Sequence, residues 1–284
     1  MAAAIHVENL TKSYGDREVL KGLSLEVQRG SCTALLGPNG AGKTTTVEIL
    51  EGYRSRSGGE ISVLGTDPAS PSAAWKARIG IVLQTSTDVK DLSCNEVLEA
   101  FGILYPTART PGEVLTLIGL EDRGKARVKD LSGGQRRRLD VGLGIVGRPE
   151  LLFLDEPTTG FDAEARRQFW SMIEGLKAEG TTIVLTTHYL DEAEALADDV
   201  AIIGAGRIMA QGAPQKIGSR DHDLATVRWR NPDGLVVEEQ TDRPDQRVAQ
   251  LMGEFGALPD LTVTKPTLED VYLRLIHEAD GASS

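Results

Sequence analysis

A glycine-rich stretch near the N-terminus has the spacing G-x-x-x-x-G-K-[ST], which is typical of a loop that binds nucleotide phosphates. Glycines let the main chain approach a phosphate, and the loop N–H groups can then surround it. Lys43 can reach the outer phosphates, and the Thr44 hydroxyl can bind Mg²⁺. The candidate nucleotide-binding residues here are Gly37, Pro38, Asn39, Gly40, Ala41, Gly42, Lys43, Thr44 and Thr45.

The segments on either side support this interpretation over a chance match or an ordinary glycine turn. Residues 33–36 are short, apolar and strand-like, and residues 45–50 are predicted to be a helix that ends near Gly52. Strand, glycine loop and helix is the order that a phosphate-binding loop requires.

Two carboxylates follow a second apolar run. Residues 151–154 predict a buried parallel strand, and Asp155 and Glu156 come directly after it. In open α/β sheets this end of the strands faces the ligand. We therefore expect Asp155 to hold Mg²⁺ and Glu156 to polarise the attacking water as a general base. An acidic helix cap is the alternative.

Gln84 and His188 each end another short apolar strand, at residues 79–83 and 182–186. Both should lie at the same sheet edge as the two acids, where Gln84 can reach the metal or a water. His188 can contact the γ-phosphate. Taken singly, each would more often be a solvated or locally bonded polar residue.

A second candidate anion site lies far along the chain. Ser132 can cap a helix that runs to Ile145, and Gly133 and Gly134, followed by Gln135, expose backbone N–H groups at its positive end. A helix cap alone is the alternative. The arginines at 136–138 are interpreted as a solvated face of this helix.

Two further residues are weaker candidates. Residues 4–9 predict an edge strand and residues 10–15 a turn, which places Tyr14 where it can stack on a nucleobase or simply fill a strand end. Asp162 is predicted to begin a helix that ends near Gly180.

Composition limits the class of protein. The 284 residues carry a formal net charge of −11, which argues against broad electrostatic binding to nucleic acid or anionic lipid. Two cysteines are too few for a disulfide framework or a metal site. Neither a signal peptide nor a membrane-spanning run is expected, so any membrane span would come from another chain.

The chain divides into an α/β core, an insert and a tail. Strand patterns vanish over residues 85–148, which predicts an all-helical insert. Residues 226–229 and 235–239 predict a hairpin, followed by a helix at 246–255, a strand at 261–264 and a helix at 268–276. We predict an ATPase-type domain over residues 1–212 and an accessory α+β domain over residues 213–284.

Together these motifs resemble the ATP-binding subunit of an ABC transporter. Residues 37–44 match its Walker A motif, residues 151–156 its Walker B motif and residues 131–135 its signature motif. Gln84 is similar to the Q-loop, Asp162 to the D-loop, His188 to the switch histidine and Tyr14 to the A-loop aromatic. Residues 131–162 and 266–272 are similar to the daunorubicin-resistance type, which pairs with an ABC-2 membrane subunit.

The resemblance implies an α/β fold: a P-loop NTPase core with an antiparallel β subdomain, an inserted α-helical subdomain and a small C-terminal α+β unit. It implies an ATPase that uses ATP and Mg²⁺ and lies peripherally on the cytoplasmic face of the cell membrane. Its expected partners are a separate permease chain and a second copy, with no nucleic acid. In the head-to-tail homodimer, Ser132 and Gly134 of one copy would close over ATP held by Lys43 of the other.

Other classes of protein stay open at this point. A non-transport ABC ATPase usually carries two cassettes or long coiled coils, and this sequence has one cassette and no sustained heptads. A GTPase or small-molecule kinase would leave the signature motif unexplained. A regulatory subunit without turnover disagrees with the presence of Lys43 and Glu156.

Overall fold

The central sheet consists of short apolar strands that are buried on both faces, as parallel strands covered on both sides require. The computed structural model describes residues 3–82, 89–219 and 224–281. Neighbouring strands run parallel except at one edge, where the last two are antiparallel. Their spatial order is β5 (Ile79–Val82), β6 (Leu151–Asp155), β7 (Thr182–Thr186), β3 (Cys32–Leu36), β8 (Asp199–Gly204) and β9 (Arg207–Gly212).

A second, antiparallel sheet has the order β2 (Arg17–Gln28), β1 (Ala3–Tyr14) and β4 (Gly58–Val63). Two predictions were wrong here. The first strand is central rather than an edge strand, and residues 10–14 continue it instead of forming a turn. Asn9 has φ of 50°, and the pairing register shifts beside it, so the local signal for a turn is a bulge within the strand.

Helices surround the two sheets and form the insert. In the described part of residues 85–148 the regular elements are helical, as predicted, and serine or threonine capping boxes begin both α3 and α4. A helix at 190–196 was not predicted. The helices are α1 (Lys43–Leu50), α2 (Ala73–Lys76), α3 (Cys94–Gly102), α4 (Pro111–Leu117), α5 (Gly133–Ile145), α6 (Ala163–Ala178), α7 (Leu190–Leu196), α8 (Pro244–Phe255) and α9 (Leu268–Gly281).

Alternate residues of each central strand face different cores. In β6, Leu152 and Leu154 pack with the insert and with α6, whereas Leu151 and Phe153 pack with α1 and the antiparallel sheet. The central sheet is therefore fixed from both sides, and its carboxyl edge can hold polar groups in place. None of the helices within the described ranges is long and apolar enough to cross a bilayer.

The tail has a small core of its own. Val227 and Trp229 on β10 (Ala225–Arg230) pack with Leu251 of α8, and β10 lies between β11 (Val236–Thr241) and β12 (Thr262–Thr264). The final helix, α9, does not share this small core, because its Leu268 is buried in the main core. The domain boundary at residue 212 therefore stays a prediction, with α9 belonging to the ATPase core by its contacts.

Candidate nucleotide-binding and catalytic site

The glycine loop joins β3 to α1 in a conformation that glycine favours. Gly42 caps α1 with φ of 110°. A Cβ at this position would lie 2.5 Å from Cδ2 of Leu20 on β2, so a larger residue would collide with the antiparallel sheet. Gly40 has φ of 80°, again in the left-handed region. The loop therefore presents its backbone in front of the helix N-terminus, as a phosphate site needs.

Lys43 lies inside this loop. The residue is 8% exposed, and its Nζ donates to the carbonyl oxygen of Gly37 at 2.7 Å and to that of Pro38 at 3.2 Å. Burial lowers the pKa of Lys43, and the carboxylates of Glu156 and Asp155 oppose that shift. The ammonium group is thus held within the loop by the loop's own backbone.

The two acids end β6 at the carboxyl edge of the central sheet. The Asp155 carboxylate accepts a hydrogen bond from the Thr186 hydroxyl on β7. Glu156 has φ of 44°, an unusual value for a residue with a side chain, and its amide donates to the Thr186 carbonyl oxygen at 3.1 Å. Backbone strain of this kind concentrates at functional sites, where the surrounding structure maintains it.

His188 lies beside the second acid. It follows β7, and its Nδ1 is 3.3 Å from Oε1 of Glu156. The structure therefore brings Glu156 and His188 together at one sheet edge, which is the placement that the parallel-strand topology predicts. Gln84, predicted at the same edge, lies outside the described residues.

A cavity of about 540 Å³ connects the loop to the acids. Its volume lies in the range of small-molecule sites. Thr44 and Asp155 both line it and offer hydroxyl and carboxylate oxygens, the donor type that Mg²⁺ prefers. These residues fit a magnesium ion that takes its other ligands from phosphate and water. The predicted residues that line the cavity are Tyr14, Asn39, Gly40, Gly42, Lys43, Thr44, Thr45, Asp155 and Glu156.

Sequence reasoning missed two arginines in the same cavity, Arg17 and Arg54. The guanidinium of Arg54 lies 5.4 Å from the centroid of the Tyr14 ring, and the Lys12 ammonium lies 5.0 Å from it. Tyr14 itself is 40% exposed, so it does not fill a core. Arg54 lies four residues after the end of α1. Tyr14 is far from Arg54 in the sequence and comes beside it through the pairing of β1 within its sheet.

The predicted second anion site begins α5. The Ser132 hydroxyl accepts from the Gln135 amide, and the Ser132 amide donates to Oε1 of Gln135, which together form a capping box. Gly133 is the first helical residue. Asp162 caps α6 by accepting from the Ala165 amide at 2.7 Å. A separate cavity of about 350 Å³ is lined by residues that include Ser132, Gly134, Gln135 and Asp162.

Within the described ranges, the cavity at Lys43 and the cavity at Ser132 have no lining residue in common. The structure thus brings residues 39–40 and 42–45 of the glycine loop together with Asp155 and Glu156 in one cavity. Ser132, Gly134 and Gln135 line the other cavity. One copy of the chain thus presents two separate surfaces.

The prediction that the arginines at 136–138 form a solvated face of α5 is wrong for Arg137 and Arg138. Arg137 donates to the backbone carbonyl oxygens of Asp155 at 2.7 Å and Pro157 at 3.2 Å. Arg138 donates to those of Ile118 and Gly119. Burial lowers the pKa of both arginines. Arg137 therefore ties α5 to the turn that carries Asp155 and Glu156.

Comparison with known proteins agrees with this geometry. The family model described as "ABC transporter" matches residues 20–159. Nod factor export ATP-binding protein I of Rhizobium meliloti (strain 1021) is 38% identical over 96% of this chain and 88% of its own length. The chain belongs to the ABC transporter ATP-binding family. Daunorubicin resistance ATP-binding protein DrrA3 of Streptomyces coeruleorubidus is 37% identical, over 96% of this chain and 95% of its own.

A solved ATP-binding subunit of an ABC transporter has the same fold. It superposes with a TM-score of 0.71, at 24% identity, over 96% of this chain and 99% of that one. The predicted family and the predicted P-loop ABC ATPase fold are therefore confirmed. Members of this ABC family bind and hydrolyse ATP, and this chain is an ABC ATP-binding subunit.

Proposed function

We propose that this ABC subunit hydrolyses ATP between two copies of itself and thereby drives an exporter of the ABC-2 type. The observation that supports the dimer is the separation of the two surfaces. Lys43, Thr44 and Glu156 line one cavity, whereas Ser132 and Gly134 line another. Two copies arranged head to tail would place each Ser132 surface over the other copy's Lys43 surface, giving two equivalent ATP sites.

In this proposal the residues of one copy bind the nucleotide and activate water. Lys43 leaves its carbonyl partners for the β- and γ-phosphates, while the loop amides surround them. Glu156 accepts the proton of the water that attacks the γ-phosphorus, and the P–O bond to ADP breaks. His188, 3.3 Å from Glu156, orients this carboxylate and contacts the γ-phosphate. Mg²⁺ held by Thr44 and Asp155, with Gln84 as a predicted further ligand, would neutralise phosphate charge.

The second copy completes the site. Ser132 and Gly134, with Gly133 and Gln135, present the N-terminus of α5 to the γ-phosphate, where the positive end of the helix favours an anion. Asp162 lies in the same cavity and would face the neighbouring copy. ATP would thus hold the dimer together, and hydrolysis would release it.

The membrane partner is proposed from the relatives and from one surface. The relatives are named for Nod factor export and daunorubicin resistance, so we infer an amphipathic drug, antibiotic or related compound as cargo. A cavity of about 450 Å³ between α2 and the helical insert is lined by Trp75, Ile81 and Phe101. Leu104 is 71% exposed just beyond α3. Exposed apolar surface of this kind suits a permease that docks from the membrane side.

The dimer is tested with Glu156→Gln, which keeps the shape of the side chain and removes the charge that polarises water. We expect hydrolysis to fall by about 10²–10⁴-fold while ATP binding survives. The variant should run as a dimer in size-exclusion chromatography with Mg-ATP and as a monomer without it. Glu99→Gln, an exposed acid on α3, is the matched control and should hydrolyse ATP at the wild-type rate.

Adding Ser132→Arg to Glu156→Gln should abolish the ATP-dependent dimer, because a bulky side chain would block the surface that faces the neighbouring phosphate. Ser171→Arg, at an exposed serine of α6, should leave the dimer intact. A dimer that survives Ser132→Arg would contradict the head-to-tail arrangement. The role in export predicts that a neighbouring reading frame encodes a six-helix membrane protein. That membrane protein should bind this chain and stimulate its ATPase activity.

A further inference from the structure

Arg54 occupies a defined place at the nucleobase end of the candidate site. It lines the same cavity as Tyr14 and Lys43, and its guanidinium lies 5.4 Å from the Tyr14 ring centroid. The Glu48 carboxylate on α1 accepts from Nε of Arg54 at 2.5 Å. The arginine is therefore held between the phosphate-loop helix and the aromatic ring, rather than extended into solvent.

This arrangement has a physical consequence for the ring. Tyr14 is the last residue of β1 and is 40% exposed, so its ring is not packed within a core. A guanidinium against an aromatic face is attracted by the ring quadrupole and stacks well because it is planar. A ring that is ordered before the ligand arrives loses less entropy on binding.

Lys12 also lies over the ring, yet it is not among the residues that line the cavity. Of the two cations over the ring, Arg54 is thus the one that also lines the cavity. Its anchor, Glu48, lies five residues after Lys43 on α1. The base end and the phosphate end of the cavity are in this way connected through one short helix.

We propose that Arg54 is a positioning residue for the nucleobase of ATP, acting through the Tyr14 ring and held by Glu48. The proposal rests on the nucleotide site proposed above, with Tyr14 stacking on the base. It requires that Arg54 affect ligands with a base and leave base-free phosphate chains unaffected.

The test is calorimetric titration of the full chain in the Glu156→Gln background, with ATP and with inorganic tripolyphosphate as probes. Arg54→Ala should raise the Kd for ATP by about two- to fivefold, as loss of an exposed cation–π contact would. The Kd for tripolyphosphate should not change. Arg54→Lys should recover part of the ATP affinity. Arg56→Ala, which removes a surface arginine paired with Asp67 at 2.7 Å, should change neither Kd.

A double-variant cycle separates the possible failures. Because Arg54 acts through Tyr14, Tyr14→Ala with Arg54→Ala should bind ATP no more weakly than Tyr14→Ala alone. Fully additive losses would overturn the inference by showing that Arg54 acts independently of Tyr14. An equal loss of tripolyphosphate affinity would overturn it by showing direct phosphate contact. If Tyr14→Ala weakens ATP binding and Arg54→Ala does not, only the inference fails. If Tyr14→Ala has no effect, the proposed base site fails as well.

Discussion

The two surfaces that we assign to ATP differ in how they are built. The Lys43 surface combines a left-handed glycine cap, a buried ammonium group and a glutamate with φ of 44°. The Ser132 surface is a regular helix N-terminus closed by a capping box. The first maintains a strained glutamate backbone and a buried ammonium group, whereas the second is a regular, locally satisfied helix cap. We infer that chemistry resides on the first surface and that the second acts by closing over it.

Of the substitutions that test this difference, Lys43→Ala should have the largest effect. Lys43 is the loop cation placed to meet the phosphates, so its loss should lower ATPase activity by at least about 100-fold and weaken ATP binding. Steady-state hydrolysis and calorimetry measure the two effects. Lys21→Ala, at an exposed lysine of β2, should behave as wild type. Wild-type turnover by Lys43→Ala would refute the assignment of the site.

Arg137→Ala tests the connection between the two surfaces and should have an intermediate effect. It would leave the carbonyl oxygens of Asp155 and Pro157 without their present donor. We expect a loss of about 1–3 kcal/mol in the free energy of unfolding, measured in urea, together with slower hydrolysis. Arg167→Ala, at an exposed arginine of α6, should change neither quantity. Unchanged stability and rate in Arg137→Ala would mean that this connection is dispensable.

Tyr14→Ala should have the smallest of the three effects. If the ring stacks on the base, the binding free energy of ATP should weaken by about 1–2 kcal/mol. Because Tyr14 is 40% exposed, the melting temperature of the ligand-free protein should barely shift. The opposite pattern, a large drop in melting temperature with unchanged ATP affinity, would show that Tyr14 serves the fold instead.

The sequence predicted the first surface well because its signals are local. The signals for the loop from Gly37 to Thr44 and for the acids at the end of β6 each depend on a few adjacent residues, and parallel pairing brings both to one edge. The predicted strand ends too early, before Tyr14, because Asn9 is a residue type that is common in turns. Its place in a bulge depends on pairing with β2, which the local sequence does not indicate.

Long-range contacts account for the other misses. Nothing near Arg54 in the sequence indicates that it meets Tyr14, and the run of arginines at 136–138 has the pattern of a solvated face. Arg137 becomes half-buried because its side chain reaches the backbone carbonyl oxygens of Asp155 and Pro157. The final helix was grouped with the tail by chain order, yet Leu268 is buried in the main core. In each case the deciding contact joins residues far apart in the chain.

The central claim is that one ATP site is built from two copies of the chain, and a mixing experiment tests it most directly. Lys43→Ala and Ser132→Arg should each be inactive alone, because every site in either dimer contains a defect. In a mixed dimer, one site would combine the intact Lys43 surface of one copy with the intact Ser132 surface of the other. We predict that mixing the two inactive proteins restores part of the ATPase activity. A mixture as inactive as its components, with mixed dimers demonstrated by differently sized tags, would contradict it.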